Sequence, residues 1–370
     1  MLSRILVCLL FGSLAAMNLT SQSEELSFQK HPFSLFDLAD HLSADVSLAD
    51  FDADGDMDVF VANGRHWAQQ DFVFLNAGNG RVLEGLPIGS RLGASYTVQV
   101  GDLDKDGFVD AVVVRDILPS LVFRNQGGSG FELMGEIPQS AGQARAASLF
   151  DADSDGNLDL AIATRRGSDM LFLGDGKGGF GAKITLPGDG MGSTGIAVGD
   201  VNLDGHLDIL LARRDGAPSA VLLGSGDGTF QFNELPGTEG DHRKGLIVDL
   251  NADAKPEIVL ISTSGRHSII SWAESDGPSL ASSFGQGGET AQAVAAGDID
   301  NDGDTDLVVG ADGDDVLYFN EGALEFKREV ISGDSDTYGV AISDMNGDGL
   351  LDIVFANSGS PNEIVRARHR

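Results

Sequence analysis

Short apolar runs alternate with acidic and glycine-rich segments along most of the chain. Runs such as YTVQVG, GIAVG and AVAAG precede acidic clusters, and runs such as VFVAN, AVVVR, LAIAT and IVLIS follow them. These runs are short, rich in Val, Ile and Leu, and bounded by Gly, Asp and Ser, which is typical of β-strands. Many units continue with a third run, a glycine turn and a fourth run, as in LFLGDGKGGF. Sustained helical periodicity is missing, so the pattern predicts an all-β fold.

The acidic clusters form a long-period repeat. They begin at Asp50, Asp102, Asp151, Asp200, Asp249, Asp298 and Asp344, in steps of 52, 49, 49, 49, 49 and 46 residues. Four short antiparallel strands in each of seven such units predict a seven-bladed β-propeller. The last unit, ending in EIVRARHR, lacks a fourth strand, whereas ELSFQKHPF before the first cluster resembles one. We therefore expect the N-terminal segment to complete the last blade, which removes free sheet edges.

The clusters share the pattern D-x-[DN]-x-D-G-x-x-[DE]. In a tight loop, the acids at positions 1, 3, 5 and 9 and the main-chain carbonyl at position 7 can face a common centre. Glycine at position 6 permits a turn that a Cβ would resist. Hard oxygen ligands in this number suit Ca²⁺, and the ion would turn the repulsion between the acids into attraction.

The repeated loop resembles the FG-GAP/VCBS repeat family, whose best-known member is the integrin α-subunit propeller. The resemblance covers roughly residues 24–370 and implies Ca²⁺ in loops that join the first two strands of each blade. An EF-hand differs, because its closing Glu stands at position 12 and helices flank the loop. The implied ligands, with the position-7 residue contributing its carbonyl, are Asp50, Asp52, Asp54, Asp56 and Asp58; Asp102, Asp104, Asp106, Phe108 and Asp110; Asp151, Asp153, Asp155, Asn157 and Asp159; Asp200, Asn202, Asp204, His206 and Asp208; Asp249, Asn251, Asp253, Lys255 and Glu257; Asp298, Asp300, Asp302, Asp304 and Asp306; and Asp344, Asn346, Asp348, Leu350 and Asp352.

The seven loops are not equivalent. In the fifth, Ala254 replaces the glycine and Glu257 replaces the closing Asp, so we expect its site to be the weakest. Asn202 and Asn346 lose a charge but keep an oxygen ligand. The formal net charge is −33, so the protein would remain acidic even with seven bound Ca²⁺ ions.

The N-terminus predicts export. Residues 1–21 contain Arg4, an apolar run and small residues, which is the layout of a secretory signal peptide. Residues 22–370 would then form one propeller that is secreted, periplasmic or attached to the cell surface. The single cysteine, Cys8, lies in the leader, so the mature chain would contain no disulfide.

Cationic residues recur in the loop after the second strand of five consecutive units. They are Arg65 and His66, Arg115, Arg165 and Arg166, Arg213 and Arg214, and Arg266 and His267. The connections between units, at the same end, add Arg91, Arg145, Arg243 and Lys244, and the aromatic residues Trp67 and Tyr96 lie in the first such loop and near the adjoining connection. One interpretation is an arginine-lined site for a carboxylated or sulfated ligand, with Trp67 or Tyr96 stacking on sugar rings. The alternative is local pairing of these arginines with Asp116, Asp169 and Asp215.

Three functions stay open at this point. The first is a ligand-binding or adhesion module for an anionic glycan or a protein; the second is a carbohydrate-active enzyme such as a polysaccharide lyase; the third is a structural cell-surface component. Catalytic motifs such as G-x-S-x-G or H-E-x-x-H are missing, which favours a binding role. His66, His242 and His267 are candidate acids or bases. The net charge argues against a nucleic-acid partner, and we expect a monomer.

Overall fold

The structure is a computed structural model that describes residues 26–30, 34–273 and 277–370. The leader predicted at residues 1–21 lies outside this part of the chain. Across the described residues all regular structure is β-strand, and no helix has the length and apolarity needed to cross a membrane.

Five four-stranded antiparallel sheets follow one another along the chain. Their strands are β3 Ser43–Ala49, β4 Asp58–Asn63, β5 Phe72–Asn76 and β6 Val82–Pro87; β7 Ser95–Gly101, β8 Asp110–Arg115, β9 Leu121–Asn125 and β10 Phe131–Glu136; β11 Ala144–Phe150, β12 Asp159–Thr164, β13 Met170–Phe172 and β14 Ile184–Thr185; β15 Ser193–Gly199, β16 Asp208–Arg213, β17 Ala220–Gly224 and β18 Phe230–Glu234; and β19 His242–Val248, β20 Glu257–Ser262, β21 His267–Ala273 and β22 Gly277–Phe284. We call these sheets blades one to five.

A larger sheet contains blades six and seven. It is built from β1 Leu26–Gln29, β2 Leu35–Phe36, β23 Thr290–Gly297, β24 Asp306–Asn320, β25 Phe326–Ser343, β26 Asp352–Asn357 and β27 Asn362–His369. The long strand β24 supplies the second and third strands of blade six. The long strand β25 supplies the fourth strand of blade six and, from residue 337, the first strand of blade seven.

The N-terminal strand completes blade seven. Strand β1 pairs antiparallel with β27, from Leu26 opposite His369 to Gln29 opposite Arg366, and β2 pairs with the start of the same strand. This confirms the closure predicted from the sequence. Joining both ends of the chain in one blade leaves no open array of blades.

The blades form a closed ring around an axis. The first strand of each blade contacts the first strand of the next, and β25 of blade seven contacts β3 of blade one. Seven clusters of buried apolar side chains lie between neighbouring blades of the described chain. The separate second strands β4, β8, β12, β16, β20 and β26 are buried at every position, because both of their faces pack against such a cluster. Their sequences are therefore continuous apolar runs.

Every blade carries a β-bulge near the start of its first strand. The register shifts leave one extra residue in each of these strands, namely Ala44, Tyr96, Arg145, Thr194, Arg243, Gln292 and Tyr338. A bulge re-aims a side chain relative to the regular alternation of a strand. Because these strands surround the axis, the seven extra side chains meet there.

Candidate functional site

The acidic loops join the first and second strands of each blade, at one end of the ring. Within a loop, the position-1 carboxylate accepts main-chain N–H groups from positions 5 and 6. In the first loop, Asp50 accepts from Asp54 at 3.1 Å and from Gly55 at 3.0 Å. The residues at positions 4 and 6 adopt positive φ, as Ala53 does at 61° and Gly55 at 98°. The turn thus wraps the backbone around the carboxylates.

The closing acid at position 9 anchors the loop to its blade. Asp58 is fully buried, and its two oxygens accept the N–H of Phe51 at 2.8 Å and that of Asn76 at 2.7 Å. The same arrangement recurs at Asp110, Asp159, Asp208, Asp306 and Asp352. The closing acid therefore has a structural role whether or not it also binds a metal.

Four loops gather carboxylates closely enough for a cation. In loops one, two and three, oxygens of the acids at positions 1, 3 and 9 lie within 4.8 Å of one another, and in loop six those of Asp298, Asp300 and Asp302 do. Burial and then the negative charge of Asp302 raise the pKa of Asp300 to about 6. Its Oδ1 atom is buried without a hydrogen-bond donor. A divalent cation would satisfy this oxygen and offset the repulsion, so these residues fit one.

The remaining loops carry Asn at position 3. In loop five, the Asn251 amide donates to the closing Glu257 at 3.0 Å, and in loop seven Asn346 donates to Asp352 at 3.0 Å. These hydrogen bonds occupy oxygens that a cation would need. In loop five Ala254 adopts a φ of 64°, a conformation that costs about 1 kcal/mol or more for a residue with a Cβ. The hydrogen bond is common to loops five and seven, whereas the positive φ of Ala254 occurs in loop five; that its site is the weakest stays a prediction.

A cavity of about 120 Å³ lies on the axis at the opposite end of the ring. All seven bulge residues line it, together with Arg65, His66, Arg165, Arg214 and Lys244. We call this the axial cavity. The loops after the second strands and the connections between blades reach it together, as expected from the alternation of strand direction.

The axial cavity carries six permanently cationic side chains, from Arg65, Arg145, Arg165, Arg214, Arg243 and Lys244. Five of them pair with carboxylates: Arg145 with Asp116 at 2.8 Å, Arg165 with Asp215 at 3.3 Å, Arg65 with Asp336 at 3.6 Å, Arg214 with Asp241 at 3.6 Å and Lys244 with Asp45 at 3.8 Å. Arg243 makes no ion pair with a carboxylate of the described chain. The cavity therefore has one positive charge in excess, inside a protein of net charge −33.

Several donors in the axial cavity lack acceptors. The Nε atoms of Arg65, Arg165, Arg214 and Arg243 are buried and have no hydrogen-bond partner. Burial, then the positive charge of Arg214, lowers the pKa of Arg243. Unpaired buried N–H groups destabilise a fold, so this arrangement favours an anion that would accept from them.

Aromatic rings hold two of the guanidinium groups in place. The Arg65 guanidinium lies 3.5 Å from the centre of the Tyr338 ring, and that of Arg145 lies 4.2 Å from the centre of the Tyr96 ring. The Tyr96 hydroxyl is 3.0 Å from a ring nitrogen of His66. Burial and the charges of Arg145 and Arg65 lower the pKa of His66, which favours the neutral form of its imidazole.

The structure divides the residues predicted for the ligand face into three groups. Arg65, His66, Arg165 and Arg214 line the axial cavity, and Arg145, Arg243, Lys244 and Tyr96 from the connections join them. Trp67, Arg166 and Arg266 are exposed outside its lining. Arg115, Arg213 and His267 are buried away from it.

The buried residues Arg115, Arg213 and His267 make contacts that hold the packed blades together. Arg115 donates to the Pro119 carbonyl at 2.8 Å, and Arg213 donates to the Met191 carbonyl at 2.8 Å and pairs with Asp189. Both arginines are the last residue of a buried second strand, so their side chains turn into the blade. His267 packs against Phe284 and Tyr318 and lies 3.4 Å from Glu289.

The predicted local ion pairs also form in part. Asp116 and Asp215 pair with arginines of the cavity, whereas Asp169 accepts from the Thr164 amide at 2.7 Å and the Ser193 hydroxyl at 2.8 Å. Sequence reasoning missed Tyr338 and Gln292. Both residues occupy the bulge position of a first strand, and no local sequence motif marks that position.

Comparisons with known proteins agree with the fold. The FG-GAP-like repeat family matches residues 50–113, 151–211, 200–260, 249–309 and 298–355, more than half of the chain. No curated protein sequence matches the chain significantly.

Among solved structures, BBS1N in complex with ARL6DN is similar at a TM-score of 0.60 and 12% identity, covering 91% of this chain and 96% of that one. A lectin of Agrocybe aegerita that recognises non-reducing terminal N-acetylglucosamine is similar at a TM-score of 0.56 and 19% identity, covering 80% of this chain and 81% of that one. YCF48 bound to D1 peptide is similar at a TM-score of 0.56 and 9% identity, covering 92% and 94%. At these identities the likeness shows the fold alone. The repeat match shows more: this chain belongs to the FG-GAP-like repeat family and folds as a β-propeller.

Proposed function

We propose that this chain is an exported, calcium-stabilised propeller that binds an anionic ligand through its axial cavity. The observation that carries the proposal is the set of four arginine Nε–H groups, buried and unpartnered, around one uncompensated positive charge. Guanidinium groups bind carboxylate, sulfate and phosphate oxygens strongly. The similar solved structures include one in complex with a protein, a lectin that recognises a sugar, and one bound to a peptide, which is compatible with a binding module.

Calcium would act on stability and not on ligand capture. The acidic loops lie at the end of the ring opposite the axial cavity, and each is built into the packing of its blade. Extracellular calcium modules bind with dissociation constants of about 10⁻⁴–10⁻³ M, which suits the exported location that the N-terminal sequence predicts.

Anion binding is tested with sulfate at constant ionic strength. Sulfate, titrated against chloride in calcium-containing buffer, should raise the melting temperature of the wild type. The Arg165→Gln/Arg214→Gln variant should lose this response, while Arg166→Gln/Arg266→Gln, which alters exposed arginines outside the cavity, should keep it. A wild type that responds to neither sulfate nor acetate, and binds no carboxylated or sulfated polymer by calorimetry, would contradict the proposal.

The His66–Tyr96 pair favours a second candidate function. A neutral imidazole beside a phenol and arginines is the set of groups that would abstract a proton next to a sugar carboxylate in a polysaccharide lyase. Incubation with uronate-containing polysaccharides, followed by the ultraviolet absorbance of unsaturated products, tests it. Absorbance that rises with the wild type and not with His66→Gln would support the lyase; no rise would leave the binding role.

A further inference from the structure

Large apolar side chains are exposed on one side of the axial cavity. Trp67 is 71% exposed, Ile117 69% and Leu92 56%, and Leu118 is exposed beside Ile117. We call these four residues the apolar patch. Single exposed apolar residues are ordinary, whereas a group of them beside a cavity is typical of an interaction site.

Backbone hydrogen bonds hold the patch segments together. The connection that contains Leu92 lies between the Trp67 loop of blade one and the Ile117 loop of blade two. On one side, Gln69 donates to the Gly93 carbonyl at 2.9 Å, and on the other, the Asp116 amide donates to the Ala94 carbonyl at 2.8 Å. The patch therefore rests on three adjoining segments.

The patch continues into the axial cavity. His66, which precedes Trp67, lines the cavity, and its own side chain is half exposed, so the cavity opens beside Trp67. Asp116, which precedes Ile117, pairs with the cavity residue Arg145. One ligand can thus contact both features.

Ile117 is held in an unfavourable conformation. Its φ is 67°, in the left-handed region where a β-branched residue is a genuine outlier. The amide of Ile117 donates to the Gly142 carbonyl at 2.7 Å, which fixes this geometry. Strain at an exposed apolar residue points to a role outside folding.

The size and charge of the axial cavity limit what enters it. Its volume of about 120 Å³ has room for one compact oxyanion. One positive charge is in excess. A polyanion would place its other charges against a protein of net charge −33, which is unfavourable.

Resting on the proposed function, we propose that the ligand is a protein segment that inserts one carboxylate into the axial cavity and packs neighbouring apolar side chains on the apolar patch. Arg243, with no carboxylate of its own in the described chain, is the anchor for the inserted group. Trp67 and Ile117 contact the residues beside it. Leucine, isoleucine and tryptophan side chains match apolar peptide side chains better than a charged glycan.

The test is a displayed random-peptide library in which every peptide contains one Asp, paired with a library in which that Asp is Asn. The wild type, in calcium buffer, should enrich peptides with apolar residues next to the Asp and none from the Asn library. A synthetic enriched peptide should bind Trp67→Ala and Arg243→Gln at least ten-fold more weakly by calorimetry. Leu280→Ala and Arg266→Gln, which alter exposed residues away from the cavity, should bind it as the wild type does.

Ile117→Gly separates binding from folding. Glycine relieves the positive φ, so the melting temperature should rise or stay unchanged while peptide affinity falls. Enriched peptides that bind Trp67→Ala as tightly as the wild type would overturn the peptide proposal, and so would no enrichment at all. If the peptide proposal fails in either way while sulfate still raises the melting temperature and the response depends on Arg214, the anion-binding function stands. If the sulfate response is missing as well, the peptide proposal and the anion-binding function are both overturned.

Discussion

The side-chain amide of Asn76 in blade one donates a hydrogen bond to the main-chain carbonyl of Met345 in blade seven at 2.7 Å, across 269 positions of sequence. Met345 is position 2 of the seventh acidic loop. The position-2 carbonyls of Phe51 and Leu250 accept from Asn125 and Asn320 in the same way. Each of these acidic loops is therefore part of the contact between its blade and the next, as well as a candidate metal site.

Replacing Asn76 should weaken ring closure. The Asn76 amide also donates to the part-buried Met57 carbonyl at 3.0 Å. Asn76→Ala therefore leaves the buried Met345 carbonyl without this donor, at a cost of about 1–3 kcal/mol, and the loss at Met57 adds less. Urea unfolding should show this loss. Asn79→Ala, which removes an exposed side chain from the same turn, should cost much less; equal losses would show that the link to Met345 contributes nothing.

Much of the fold was predictable from the sequence because one local unit repeats. The strand–acidic loop–strand unit fixes the register of each blade, since the closing acid binds the backbone of its own blade. The closure by β1 was predictable because the last unit is one strand short. What the repeat does not predict is the fusion of strands into β24 and β25, where Asp312 and Gly313 continue the ladder opposite Asp336 and Ser335 instead of ending it.

Two adjacent arginines should behave in opposite ways. Arg213 is 1% exposed and bonded inside blade four, whereas Arg214 lines the axial cavity. Arg213→Gln should lower the free energy of unfolding by about 2 kcal/mol or more, because buried acceptors lose their charged donor, and keep the response to sulfate. Arg214→Gln should keep the stability and weaken the sulfate response. Melting curves with and without sulfate measure both effects, and the reverse pattern would contradict this placement.

The axial cavity was only partly predictable. The sequence placed cations at the correct end of the ring, yet it treated Arg213 and Arg214 alike, although Arg213 ends the second strand and Arg214 follows it. Because the second strands pack on both faces and are buried at every position, their last residues, Arg115 and Arg213, belong to the blade interior. The inward aim of Tyr338 and Arg243 depends on a bulge, whose position follows from pairing between strands and not from local sequence.

Chelation should separate the strong acidic loops from the weak one. EDTA should lower the melting temperature of the wild type, since each occupied site adds about 1–3 kcal/mol when free calcium exceeds the dissociation constant ten- to hundred-fold. Asp300→Asn in loop six should lose one such increment in calcium and gain stability in EDTA, because it removes like charge. Asp253→Asn in loop five should change the calcium response little. Identical melting with calcium and EDTA would show that the loops act without an ion.

Removing the N-terminal strand should prevent closure of blade seven. Deleting residues 24–36 removes β1 and β2 and uncovers Phe319, which packs against Phe28 with ring centres 6.1 Å apart. The exposed edge of β27 would then promote aggregation. We expect the deleted protein to be insoluble when expressed. A soluble product with the melting temperature of the full chain would show that the strand is dispensable.

Acid should destabilise the protein partly through His242. This side chain is buried, with Nδ1 3.4 Å from the Ser219 hydroxyl. Burial, then the positive charge of His267, lowers the pKa of His242 to about 4, against the opposing effect of Asp241. A base whose pKa is lower in the folded state contributes its full stability above its unfolded pKa, which for histidine is about 6.5. That contribution to the free energy of unfolding is lost as the pH falls toward 4. Wild type should therefore lose about 2–3 kcal/mol more than His242→Asn between pH 7 and pH 4.5. Urea unfolding of both proteins at each pH measures the difference between their losses of stability. The acidic loops are the same in both proteins, so their contribution cancels. Equal losses in the two proteins would show that His242 is not held neutral.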